Sequence, residues 1–199
     1  MLAYLCGPIE FAADGGKMWR RKLTPFLHNE LGHQVYDPAE DEKKSLTDEE
    51  AAHFREWKQT DVERFRRVIR KIIHFDLDIV ENRADYVICY LSGDAAAMAS
   101  GGTSSELTFA YRRGIPVYLV TDSDLNQVSG WMLACADRVF PDIDGLKRFL
   151  LERYSKEKQR ARDLYPDDSH AYTDEKAAWI RATETKALRW LDLQQAEHH

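Results

Sequence analysis

Two carboxylates and a phenol stand at positions in this sequence where they could act on a ligand. The stretch "SGGTSSEL", residues 100–107, lies between the apolar runs "DYVICYL" and "IPVYLV", and its one acid is Glu106. Small and hydroxyl residues suit a tight loop, and Glu106 comes where a helix is predicted to begin. In a first turn, free N–H groups and the positive end of the helix dipole stabilise an anion. An acid kept ionised in that way suits a nucleophile, not a proton donor. The other reading is an ordinary capping acid.

A second carboxylate could come from "DLD", Asp76 and Asp78, just before the run "DYVICYL". Two carboxylates across a scissile glycosidic bond are the usual device for retaining glycosyl transfer: one attacks the anomeric carbon and the other protonates the leaving group. The alternative for "DLD" is a solvated helix face, and periodicity alone does not decide whether either acid reaches Glu106. Tyr4 lies in the short apolar run "LAYLC", where a buried phenol needs a partner. It either hydrogen-bonds and orients Glu106 or packs in the core.

These side chains need a frame. "LAYLC" reads as a buried strand ended by Gly7-Pro8. "KMWRRKLTPFLHNELG" reads as a helix stopped at Gly32, with Pro25 either kinking it or sitting at its first position. "HQVYDP" is a second short strand, and residues 39–49 read as a charged loop. Thr47 and Glu50 form a capping-box pattern ahead of a long helix that runs to about Ala84, with a break near His74. "DYVICYL" is the clearest strand. A helix from about Ser104 to Arg113 follows, capped by Gly114, and then the strand "IPVYLV". "SGWMLACAD" reads as a short helix, "RVF" as a last strand and "DIDGLKRFLLERY" as a capped helix. Residues 155–172 look turn-rich, and a final amphipathic helix carries Trp179 and Trp190. Strands alternating with helices predict a flavodoxin-like (Rossmann-like) α/β fold, five mostly parallel strands in the order 2-1-3-4-5. Ligands of such sheets sit beyond the C-terminal strand ends, near the switch point.

The totals narrow the function. With 28 basic and 34 acidic residues the net charge is −6, which argues against binding a nucleic acid polymer. No apolar run is long enough for a membrane span, and the N-terminus lacks the basic region of a signal peptide. The three cysteines, Cys6, Cys89 and Cys135, are odd in number and widely spaced, which predicts reduced buried thiols in a cytoplasmic protein. The seven histidines are scattered, two of them at the C-terminal end where they read as a tag remnant, so neither a metal site nor a cofactor is expected.

In order along the chain, "YLCGPIE", "DLDIVENRADYVICYL", "GGTSSELTFAYRRGIPVYLV" and "SGWMLACAD" resemble the nucleoside 2-deoxyribosyltransferase family over about residues 2–150. The resemblance implies a domain over 1–150 and leaves 151–199 as a C-terminal helical extension. It implies that Glu106 forms a glycosyl-enzyme ester, that Tyr4 holds it, and that an upstream acid serves the base. Asp76 is one residue too far from Asp85 and Asp78 one too near; Asp76 is preferred because it opens the "DL" motif. The resemblance places Gly7, Pro8, Ile9, Ser100, Gly102 and Thr103 around the substrate. Ser129 matches the position that reaches into a neighbouring subunit's site, implying a homodimer or higher homo-oligomer. Ser100 and Ser129 are the residues found in the related deoxynucleoside 5′-monophosphate N-hydrolases, where the transferases carry Asp and Asn. The first loop, "GPIEFAAD", points the other way: it lacks the hydrolases' Ser and Arg, its Glu10 and Asp14 would repel a phosphate, and nothing in the sequence places Arg20 or Arg21 to compensate. The expected function is therefore N-glycosidic bond cleavage on a nucleoside or nucleotide, by transfer or by hydrolysis. A binding or sensing module that has lost its chemistry is the reading from another class.

Overall fold

The computed structural model describes residues 1–10, 12–93 and 100–164. The expected helix carrying Trp179 and Trp190 lies outside them. Contacts divide the chain into a first unit, Met1–Lys147, and a second that begins at Arg148.

The five strands are β1 (Leu2–Cys6), β2 (Gln34–Tyr36), β3 (Tyr86–Leu91), β4 (Val117–Thr121) and β5 (Arg138–Phe140). All neighbours pair in parallel, in the order β2-β1-β3-β4-β5, as the sequence pattern predicts. Apolar residues run almost unbroken through β1, β3 and β4 because both faces are covered. Two acids set the register at the N-terminal edge. Asp85 accepts from the Leu2 amide (2.6 Å) and Asp137 from the Val117 amide (2.8 Å), each from the residue just before its own strand.

Helix α1 (Lys17–Asn29) keeps Pro25 inside it, and Gly32 follows at φ 67°. Residues expected to form a loop instead make a short helix α2 (Pro38–Asp41) and a 3-10 turn (Glu42–Ser45), started by Asp37, whose carboxylate accepts from the Ala39 amide. The long helix is in fact two, α3 (Asp48–Thr60) and α4 (Val62–Asn82), and the break falls at Asp61, not near His74. Asp61 leaves the helical region (φ −151°, ψ 82°), its N–H still closes α3 on Trp57, and its carboxylate caps α4 through the Arg64 amide. The Thr47–Glu50 capping box forms as expected, and Glu50 also reaches Lys71 of α4 at 2.6 Å. Phe54, Trp57, Val68 and Ile72 bury themselves between the two helices.

Helix α5 (Gly101–Arg113) begins three residues before the expected start, with Ser100 as its N-cap; Gly114 closes it at φ 67°. Helix α6 (Gly130–Cys135) is short, as expected. Helix α7 (Ile143–Leu164) is capped by Asp142 and continues through residues read as turn-rich. Side chains of β1 alternate in direction, so Tyr4 and Cys6 join the layer that α4, α5 and α6 cover, with Ile79, Val80, Leu107, Ala110 and Met132. Cys6, Cys89 and Cys135 are free thiols, all buried.

Gly7 ends β1 at φ 149°, and a Cβ there would lie 2.7 Å from the Tyr90 carbonyl oxygen of β3. Backbone atoms cannot move aside as a side chain can. Gly7→Ala is therefore expected to cost roughly 2 kcal/mol or more, measured as a lower midpoint in urea with an unchanged slope. An unchanged midpoint would show that the loop has room.

Candidate active site

Because β1 is a strand, Tyr4 and Cys6 lie two residues apart on one face, and both meet α5. The Tyr4 hydroxyl donates to Glu106 Oε1 at 2.7 Å, and Cys6 Sγ donates to Glu106 Oε2 at 2.8 Å. Tyr4 is thus a partner of the acid as well as a core residue. Glu106 is the sixth residue of α5, not a first-turn residue. The helix dipole fades within its first turn, so side-chain donors, not the helix start, hold this carboxylate. The expected stabilisation by free helical N–H groups is corrected accordingly.

The second acid is Asp76. Helix α4 is unbroken, and Asp76 lies six residues before its end, about 9 Å along the axis. That rise carries it from the N-terminal edge of the sheet up to the middle of the strands. Asp76 is buried and accepts from the Tyr36 hydroxyl at 2.6 Å. Tyr36 pairs in register with Tyr4, and the two rings stack at 5.2 Å. Two phenols stacked on adjacent strands therefore each bond one of the two carboxylates. Asp78 points elsewhere: it is exposed and accepts from the Asn82 amide of its own helix. For Asp78 the solvated-face reading holds.

The first loop is organised by Arg20, which is 1% exposed. Its guanidinium donates to the carbonyls of Gly16, Leu5 and Gly7 at 2.7, 3.3 and 3.1 Å, and its Nε lies 3.1 Å from Asp37 Oδ1. Gly7 and Pro8 are buried in this loop and Ile9 is half-buried. Asp14 faces the Gly16 and Met18 amides, which hold its carboxyl below the usual range, and Glu10 pairs with Lys58 of α3. At the start of α5, Ser100 Oγ accepts from the Thr103 amide and lies 3.2 Å from Thr103 Oγ1; Gly102 is exposed beside them. Ser129 is exposed at the N-cap of α6, its side chain making no capping bond.

Sequence reasoning missed Tyr36 and Cys6 and could not place Arg20. Tyr36 is invisible until the register of β1 and β2 is known. Arg20 is one of two adjacent arginines, and only its burial singles it out. Cys6 could have been found, because it stands two residues from Tyr4 on the same strand. Among the described residues no cluster of His, Cys, Asp and Glu has the arrangement of a metal site, and no helix is long and apolar enough to cross a membrane.

Burial raises both phenols far above their usual range, Tyr4 with Glu106 and Tyr36 with Asp76 as the further cause, so both stay donors. Burial likewise raises the Cys6 thiol, helped by the adjacent Cys89. Burial also pushes Glu106 above the usual carboxylate range; the bonds from Cys6 and Tyr4 and the Arg20 charge pull it down without cancelling that rise.

The folded chain therefore binds the Glu106 proton more tightly than the unfolded chain. Its contribution to stability is fully present below the unfolded value of about 4.3 and is lost as pH rises through the folded value. Glu106→Gln, which cannot ionise, should melt higher than the parent at pH 7. The gain comes from the cost of ionising a carboxylate in this half-buried site. It should vanish below about pH 4. Scanning calorimetry at both pH values checks this, and an offset independent of pH would contradict it.

No family model matches the chain, and no curated protein matches it. Among solved structures it is similar to a 2-desoxiribosyltransferase from Leishmania mexicana, at 14% identity and a TM-score of 0.49, over 76% of this chain and 97% of that one.

Proposed function

We propose that the chain is an enzyme that cleaves the N-glycosidic bond of a nucleoside or nucleotide, with Glu106 as the nucleophile. The observation that carries this reading is the Glu106 carboxylate held by Tyr4 and Cys6 beside the switch point of a parallel sheet. A group meant only to cap a helix would face backbone amides; this one faces two side-chain donors from a neighbouring strand.

In this reading a Glu106 oxygen attacks C1′ of the sugar. The C–N bond breaks and its electron pair leaves with the base, which Asp76 protonates or hydrogen-bonds. The glycosyl ester then passes to a second base or to water, and Glu106 is released. Tyr4 orients the nucleophile, and Tyr36 does the same for Asp76. Gly7, Pro8, Ile9, Gly102 and Thr103 surround the substrate, and Ser100 faces the 5′ side of the sugar. Ser129 enters the site from a neighbouring subunit of a homo-oligomer.

Transfer between bases is the first form of this chemistry. Hydrolysis of a 5′-monophosphate is the second, and one observation favours it. Of the first-loop acids that would repel a phosphate, Glu10 is paired with the cation of Lys58. The N-terminus of α5 then offers backbone N–H groups to an anion.

Incubation with each deoxynucleoside and its 5′-monophosphate, with and without a second free base, separates the readings. A new nucleoside means transfer, free base alone means hydrolysis, and binding without turnover means a sensing module. Glu106→Ala should lower turnover by about 10³-fold or more. Near-normal activity in a folded variant would exclude the covalent route. Asp76→Asn should lose most with poor leaving bases, whereas Asp78→Asn should be nearly silent. Equal small effects from the two would place the acid elsewhere.

A further inference from the structure

We infer that Cys6 is a positioning residue of this site: its thiol holds the second oxygen of the Glu106 carboxylate, opposite Tyr4, and so fixes the plane of the nucleophile. The role in turnover rests on Glu106 being the nucleophile; the contact itself can be tested without any substrate.

One hydrogen bond fixes the distance of a carboxylate but leaves it free to swing about that bond. Two donors, one on each oxygen, remove that freedom. Tyr4 and Cys6 supply them because residues two apart on a strand share a face, and Glu106 reaches both from α5. Cys6 is fully buried beside Cys89, and two oxygen acceptors lie within its reach: Glu106 Oε2 at 2.8 Å and the Thr103 carbonyl at 3.9 Å. The nearer one is the carboxylate, which also gains more from a donor. The two donors are unequal, since a thiol is the weaker. Tyr4 therefore claims Oε1 more firmly, and Oε2 keeps the more available electron pair for attack. Cys135 supplies an internal comparison. It is a free thiol buried in the same layer, on α6.

The groups that face Glu106 are Tyr4 and Cys6 from β1, Tyr36 from β2 and the charge of Arg20 from α1. Removing a donor to a carboxylate raises its proton affinity. The acidic limb of kcat/KM should therefore move to higher pH in Cys6→Ala and return in Cys6→Ser, while Cys135→Ala, which removes a buried thiol elsewhere in the layer, leaves it in place. Cys6→Ala should also lower kcat about 3- to 10-fold with little change in KM, as expected for a modest hydrogen bond to a charged group.

The decisive measurement needs neither turnover nor the alanine variant. The infrared S–H stretching band of Cys6 is identified as the band missing from Cys6→Ser. It should lie lower in the parent protein than in Glu106→Gln, and it should shift as Glu106 is protonated by acid. A Cys6 band that is the same in both proteins and insensitive to pH overturns the contact. A shifted band in a protein that turns over no nucleoside or nucleotide keeps the contact and removes the proposed reaction. Turnover that needs Glu106 but keeps the same rate and acidic limb in Cys6→Ala and Cys6→Ser overturns the positioning role alone.

Discussion

The burial of one guanidinium shapes the loop on which the site is built. Arg20 is almost wholly withdrawn from water, and a charge so placed is tolerated only when it is paired and hydrogen-bonded. Its partners are the carbonyls of Leu5, Gly7 and Gly16 and the carboxylate of Asp37. Those residues come from the end of β1, the loop after it, the start of α1 and the segment after β2. Satisfying Arg20 therefore fixes where β1 stops and how the first loop turns back. The packing leaves no slack: Gly16 adopts φ 69°, and a Cβ there would lie 2.3 Å from both Arg20 Nη1 and the Pro8 carbonyl. Trp19 packs against the guanidinium and stacks on Tyr90 of β3, so the loop is tied to a second strand.

The same charge acts on the Glu106 carboxylate. Two carboxylates, Glu106 and Asp76, sit in or against an apolar layer where each would otherwise be costly. Each has its own phenol, and the phenols stack on one another. Because burial keeps both hydroxyls protonated, they remain donors at any pH the protein would meet. The arrangement gives each acid its own donor on one face of the sheet. A pair of acids that differ in environment is what nucleophile and proton donor require of a glycosidic site. Glu106 meets two donors and the field of Arg20; Asp76 meets Tyr36 and lies deeper in its helix.

The helical hairpin α3–α4 is the part of the first unit that the strand-helix alternation does not require. It carries a small apolar core of its own, and Glu50 and Arg64 tie its two arms by ion pairs to Lys71 and Glu49. Lys58 extends it to Glu10 in the first loop. Exposed ion pairs contribute little to stability, so the value of that contact lies in charge: it pairs the Glu10 carboxylate with a cation.

The sheet was legible in the sequence because its signals are local. Continuous apolar runs, glycine stops and strand-helix alternation specify a parallel α/β fold, and the right-handed crossover leaves few strand orders. Glu106, Tyr4 and an acid in "DLD" could be chosen as candidates for the same reason: each is a polar group in a stretch that otherwise reads as buried. Helix boundaries at Asp61 and Ser100 were not legible, since single capping hydrogen bonds set them. What joins the candidates was beyond the sequence altogether. Tyr36 finds Tyr4 through strand register, Asp76 and not Asp78 faces inward through the rotation of α4, and Arg20 and not Arg21 is buried through the tilt of α1. Residue types and spacing fix which chemistry is available; only long-range packing decides which copies of those residues meet, because contacts between distant segments depend on register and rotation that local periodicity does not encode.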